Sequence, residues 1–414
     1  MRMRSSPSGT PIPVSISSRK TANGPYMPIR LSKMDSIQPV SYFGVSGNTA
    51  KKVLCAPDSF KESLRAPGVA AAMAAGVRQA DPAIECDPCP IADGGEGSLE
   101  VLSAALGGVL HRMTVTGPMG ESVVARYGIS GDGSVGLVEL AEASGLGLVA
   151  PATRDPTRTT SFGTGELIAA AAERGCETVI VCIGGSATID GGTGIAQALG
   201  GVFVDHNGRA IDTPMTGGLL ADVAGYQAPV TGLARLRVAC DVTNPLLGVD
   251  GAACCYGPQK GAAPGQVEAL DAQLARLAAL LGGDPDCAGA GAAGGAGWGL
   301  AALLGAELER GIDLILDAVD FNGRCAAADL VLTGEGRLDA QSRHGKACFG
   351  VAEAAGAMGV PVVAIVGQAM DAASFGDLFA QVISLSDRYG DDHARHRTGQ
   401  AITEAVRELL TPPA

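Results

Sequence analysis

Thr178-Val-Ile-Val-Cys-Ile183 runs without a break into Gly184-Gly-Ser-Ala-Thr-Ile-Asp-Gly-Gly192. The first six residues show no polar alternation, which predicts a strand covered on both faces. Such a strand belongs in a parallel sheet packed between helices. The glycines that follow put a turn of backbone N–H groups at the strand's carboxyl end, where open α/β sheets bind ligands.

The same pattern extends in both directions. Upstream lie a short apolar strand at 53–56, a helix over 66–80 with Pro67 in its first turn, a strand at 84–90 and a helix at 97–106. Downstream come a strand at 330–333, a helix at 346–358, strands at 362–366 and 382–385, and a last helix from about 396 to 409. Apolar strands alternating with helices predict an open parallel sheet. Between these blocks, strand-like runs at 113–116, 123–129 and 135–140 are joined by turns at Gly117-Pro118 and Gly131-Asp132-Gly133. Such close spacing predicts antiparallel or mixed pairing. Further helices are expected at 164–174, 264–281 and 298–308, and strands at 202–205 and 237–242. The expected fold class is α/β. A mixed-sheet domain over 91–289 is inserted into a parallel-sheet domain made of 51–90 and 290–414.

The chain has 414 residues, 46% of them apolar, so large cores are within reach and disorder as the main state is excluded. Sixty glycines imply many tight turns and close backbone approaches. A net charge of −13 argues against nucleic acid as a partner. No apolar run reaches the ~18 residues of a membrane span. The eleven cysteines are scattered and mostly within apolar runs, which reads as thiols of a reducing compartment. Cys86 and Cys89 form a C-x-x-C without a second pair at zinc spacing. Residues 1–50 carry six Lys or Arg against Asp35 and show no period, so they read as a disordered or non-native leader. The expected location is cytoplasmic, or organellar if that basic leader is a transit peptide.

One device recurs: an apolar strand ends and a polar glycine loop follows. Asp58-Ser59-Phe60-Lys61 follows the first strand, and Ala92-Asp93-Gly94-Gly95-Glu96-Gly97 the second. Gly184-Gly185-Ser186 can cradle a phosphate, with Asp190 close by in sequence. Asp241 and Asn244 precede Gln259-Lys260, and Gly334-Glu335-Gly336-Arg337 leads to Asp339 and Lys346. Each loop also reads as a helix cap, an Asx turn or a solvated ion-pair turn. Gly289 to Gly294 fits G-x-G-x-x-G by letter, but no strand precedes it, so NAD and a dehydrogenase are poorly supported. No G-x-S-x-G elbow is present. Glycine, carboxylates and lysines without an activated nucleophile suit phosphoryl transfer, which is mostly positioning and charge neutralisation. The residues alone therefore point to a kinase or phosphate-ester enzyme for a small acid or polyol.

The blocks APDSFKESLRA (56–66), PIADGGEGS (90–98), RDPTRTTSFGTGEL (154–167), IGGSATIDGGTG (183–194), ACDVTNPLLG (239–248), GPQKGA (257–262), GAGAAGGAG (289–297) and TGEGRLDAQSRHGK (333–346) resemble the glycerate kinase type-1 family. They occur in the family's order and cover about 51–410. The resemblance implies an ATP- and Mg²⁺-dependent transferase that converts (R)-glycerate to 2-phosphoglycerate. It implies two α/β domains, one discontinuous and Rossmann-like, with the active site in the cleft between them. A 3-phosphoglycerate-forming kinase and a non-catalytic glycerate- or nucleotide-binding relative are the alternatives. The second of these draws on Ile189, which stands where the family has Asn.

On that resemblance, Asp190, Asp93 and Lys61 are the candidate catalytic residues. Asp58, Ser59, Lys61, Glu96, Asn244 and Arg337 are expected to bind glycerate. Gly184, Gly185, Ser186, Thr188, Lys260, Gly294 and Lys346 are expected to bind the nucleotide. Asp241, Glu335 and Asp339 are expected around Mg²⁺, which prefers few direct oxygens and several waters. The expected partners are glycerate and ATP alone, with a homodimer left open.

Overall fold

Gln381–Ser384, Val362–Val366, Leu330–Thr333, Lys52–Cys55 and Glu85–Pro88 lie side by side in that order as a five-stranded, wholly parallel sheet. The structure is a computed structural model and describes residues 50–61, 63–229, 234–338, 347–370, 375 and 378–411. The chain divides into Met1–Tyr42 and Phe43–Ala414, and the architecture below is that of the second unit. Apart from Ala50, the expected leader lies outside the described residues.

Strand periodicity decides which face each apolar residue serves. Val53, Cys55, Leu330, Leu332, Val363 and Ile365 pack on one face, against the helices Ala66–Ala80 and Thr398–Leu410. Leu54, Val331, Val362 and Ala364 point the other way. Both faces are covered, which is why these strands carry no polar alternation. Each fully buried aliphatic side chain here contributes roughly 1.5–3 kcal/mol.

A second sheet has six strands. Glu307–Glu309, Arg235–Ala239, Thr178–Cys182 and Val135–Glu139 are parallel. Ser122–Ile129 and Val109–Thr116 complete it as an antiparallel hairpin. The mixed pairing expected from the turn spacing is present. Glu307–Glu309 pairs with Arg235–Ala239, so the chain leaves the second sheet only after residue 309.

Helices fill the space between the sheets. Leu99 and Leu102 of Ser98–Ala105, with Ile312 and Ile315 of Gly311–Ala318, join Leu54 and Val331 to Leu137, Ile180 and Ala239 in one buried cluster. On the far face of the second sheet, Leu167, Ile168, Ile195, Ala296 and Leu300 cover Val179, Val181 and Val238.

The helix expected from residue 298 begins earlier, spanning Ala292–Leu304. Its first turn is broken, because Ala293, Gly294 and Gly295 adopt φ of +52°, +71° and +88°. A side chain on Gly294 would meet the Thr188 carbonyl at 1.8 Å, and one on Gly299 the Gly191 carbonyl at 2.2 Å. The glycine-rich run therefore lets a helix lie backbone to backbone on the 188–192 turn. No helix among the described residues is long and apolar enough to cross a membrane.

Candidate active site

The strand ends of both sheets face one cleft of ≈ 960 Å³. Asp58, Ser59 and Lys61 line it from the loop after Lys52–Cys55, and Asp93 to Gly97 from the loop after Glu85–Pro88. The second sheet adds Glu139, Gly184 to Ser186, Asp241 and Val242, joined by Gln259 and Lys260. Backbone bonds hold this arrangement. Asp58 N donates to Gly334 O at 2.8 Å, tying neighbouring loops of the first sheet. A side chain on Gly184 would come within 2.7 Å of the Gly95 Cα, so loops from the two sheets touch there.

Lys260 is the buried cation of the cleft. Its Nζ donates to Ser186 Oγ at 2.7 Å and to the Thr188 carbonyl at 2.8 Å. Burial pulls its pKa down to about 7, and the Asp190 carboxylate opposes that shift. Four carboxylates, Asp58, Asp93, Asp241 and Glu335, lie close enough to influence one another. Burial first, then the charges of Asp93 and Glu335, push the Asp58 carboxyl well above the usual range. Burial and then Asp93 push Asp241 up to about 7. Asp241 Oδ1 accepts from Ile312 N at 3.2 Å, while its buried Oδ2 has no hydrogen-bond partner among the described residues. Asp93 Oδ1 accepts from Gly95 N at 3.0 Å.

Two sets of lining residues were missed in the sequence. Glu139 is 3% exposed and accepts from Gly97 N and Leu99 N, so a carboxylate of the second sheet caps the helix that follows the Asp93 loop. Burial raises its pKa to about 7. Its signal was an acid closing the apolar run Val135–Glu139. Arg126 donates through Nε to Glu142 at 3.0 Å and through Nη1 to Glu100 at 2.8 Å, and Arg65 also pairs with Glu100. No local pattern marks these pairs, because their members come from separate elements.

Other expected site residues stand outside the cleft lining. Asp190 is fully buried. Its Oδ2 accepts from Ser161 N at 2.8 Å and Ser161 Oγ at 2.7 Å, and its Oδ1 from Gly192 N at 3.1 Å. That geometry makes it a pin between the 160–162 turn and the helix Thr193–Ala198. Replacing Asp190 by Ala strands those donors, and we expect a loss of about 2–5 kcal/mol in denaturant unfolding. An unchanged midpoint would refute that structural role. Thr188 is buried and offers its carbonyl to Lys260. Asn244 Oδ1 accepts from the Tyr256 hydroxyl at 2.6 Å, and its Nδ2 donates to Asp250 O, so both ends of the amide serve the local turn. Gly294 presses on Thr188 instead of opening on the cleft. Glu335 is buried near Asp58, and Arg337 is exposed in the short strand Arg337–Leu338. Asp339 and Lys346 lie outside the described residues. Ile189 is fully buried in an apolar cluster with Phe203, Leu270 and Trp298, so its departure from Asn falls in the core and not in the cleft.

Among the described residues, no three His, Cys, Asp or Glu side chains are grouped as a preformed metal cage. Asp241 Oδ2, buried near Asp93 and without a hydrogen-bond partner among the described residues, is still a ligand suited to a cation that keeps most of its waters.

Comparison with known proteins shows the family and agrees with the fold. Residues 53–411 match the family model described as the glycerate kinase family. The chain is 47% identical to the glycerate kinase of Bacillus subtilis over 326 residues, 76% of this chain and 85% of that relative. It is 47% identical to the glycerate 2-kinase of Escherichia coli over 330 residues, 77% of this chain and 86% of that relative. A crystal structure from Salmonella typhimurium LT2, assigned as glycerate kinase 2, superposes with a TM-score of 0.76 at 43% identity. That superposition covers 87% of this chain and 97% of the Salmonella one. A match that runs through almost every described element, and through each cleft loop, means that the chain belongs to the glycerate kinase family.

Proposed function

We propose that this kinase transfers the γ-phosphoryl group of ATP to the 2-hydroxyl of (R)-glycerate, in the cleft between two lobes built on the two sheets. The observation that carries this reading is the shared hollow, where Lys61, Asp93 and Asp241 of the loops after strands stand with Lys260 of the turn Pro258–Lys260. Phosphoryl transfer needs reactants held in line and phosphate charge neutralised, more than it needs a covalent nucleophile.

In this reading, Lys260, Ser186 and the amides of Gly184–Ser186 bind phosphate oxygens. Lys61 and Ser59 hold the glycerate carboxylate. Asp93 accepts the proton of the attacking hydroxyl, a choice supported by its place in the cleft lining, where Asp190 is fully buried. Asp241, through its buried Oδ2, would hold Mg²⁺. When bound, that ion would offset phosphate charge in a cleft whose walls are rich in acids.

The test is NMR identification of the product from (R)-glycerate and MgATP. 2-Phosphoglycerate, formed one for one with ADP, is expected. 3-Phosphoglycerate would overturn the regiochemistry, and absence of any phosphoglycerate would overturn the reading.

A further inference from the structure

In the sequence Cys86 belongs to a C-x-x-C with Cys89. The fold separates that pair. Cys89 is buried between the two sheets, whereas Cys86 packs against the core on the other face of its sheet, beside Cys55. There the sulfurs of Cys55 and Cys86 lie 3.5 Å apart, both as free thiols. Their strands are parallel neighbours, with Val53 opposite Cys86 and Cys55 opposite Pro88, so the thiols meet diagonally across the ladder. Each strand leads directly into the cleft. Cys55 stands three residues before Asp58, and Cys86 seven before Asp93.

We propose that Cys55 and Cys86 form a reversible oxidation site, closed to a disulfide by a small disulfide such as glutathione disulfide, and that closure lowers turnover. The second half of this proposal rests on the cleft being the active site. Cys86 is half-buried and Cys55 fully buried, so Cys86 is the thiol an oxidant meets first. The hydrogen bond from Cys55 lowers the pKa of Cys86, the nearby Arg78 adds to that, and the same bond raises Cys55. The Cys86 thiolate attacks one sulfur of the oxidant, the oxidant's S–S bond breaks, and one glutathione leaves as its thiolate. Cys55 then attacks Cys86 Sγ in the mixed disulfide and displaces the second glutathione. The protein gives up two electrons and two protons, and two glutathione thiols take them up.

A disulfide needs an S–S distance of about 2.05 Å, so the sulfurs must close by more than an ångström. Lys52–Cys55 is buried on both faces and transmits that shift to its end, whereas Glu85–Pro88 is the partly exposed edge strand beside it. The Asp58–Lys61 and Asp93–Gly97 loops then change position relative to each other. A misplacement of about 1 Å at reacting groups costs up to about a hundredfold in rate.

The test uses the full chain with Cys254→Ser, Cys255→Ser and Cys287→Ser, which removes the more accessible thiols on the outer helices and loops. After glutathione disulfide treatment, non-reducing peptide mapping should find the 55–86 link. Glycerate-dependent ADP formation should fall about tenfold or more and recover on reduction. Adding Cys86→Ser should abolish both link and inhibition, and Cys55→Ser serves as the second variant should the first not fold. Absence of the link, a link without inhibition, or inhibition that survives Cys86→Ser would each overturn the proposal. Mapping needs no substrate, so it judges the oxidation site even if the glycerate reading fails.

Discussion

Asp93→Asn is expected to lower kcat by about 10²–10⁴-fold, the usual contribution of a positioned proton acceptor. Asn keeps the size of the side chain, and its Oδ1 can still accept from Gly95 N, so the 93–97 turn survives. What disappears is a carboxylate able to take the hydroxyl proton. The KM for ATP should change little, because the phosphate contacts are placed on Lys260 and Ser186. Steady-state kinetics beside a melting curve reads both effects. Near-wild-type turnover in a well-folded Asp93→Asn protein would remove Asp93 as the base.

Lys260→Met has the second large expected effect, a loss of about 10²–10³-fold in turnover with a raised KM for ATP. Its stability should move differently from its activity. Lys260 titrates at about 7 in the fold and near 10.5 when unfolded. Between those values the unfolded chain binds the extra proton, so the wild type loses stability as pH falls from 10.5 to 7, on the order of 4 kcal/mol. Met has no proton to bind. The variant should therefore gain on the wild type as pH drops through that window and hold its advantage below pH 7. Urea unfolding at pH 6, 8 and 10 measures the difference. A gap independent of pH would mean that Lys260 is not held against its charge in the fold.

Much of the architecture was legible because strand and helix periods are local. Val-Ile-Val-Cys-Ile announced a two-sided strand, and the observed faces alternate residue by residue. Turn spacing over 113–140 announced the hairpin, which pairs Val109–Thr116 with Ser122–Ile129. The loops Asp58–Lys61, Asp93–Gly97 and Gly184–Ser186 all reach the cleft. Periodicity could not reveal what a side chain meets from another part of the chain. Glu139 finds its partners at Gly97 and Leu99, and Lys260 finds Ser186 across 74 residues.

Asp93 and Asp190 show the limit most clearly. Both are carboxylates in glycine loops that follow strands, and nothing in the loops themselves says which way each points. By itself the sequence determined the parallel strands and the glycine turns at their ends. The tertiary structure alone decided that Asp93 faces the hollow while Asp190 turns inward. A turn carboxylate points toward whichever donors surround it, and Asp190 is surrounded by the amide and hydroxyl of Ser161, 29 residues away.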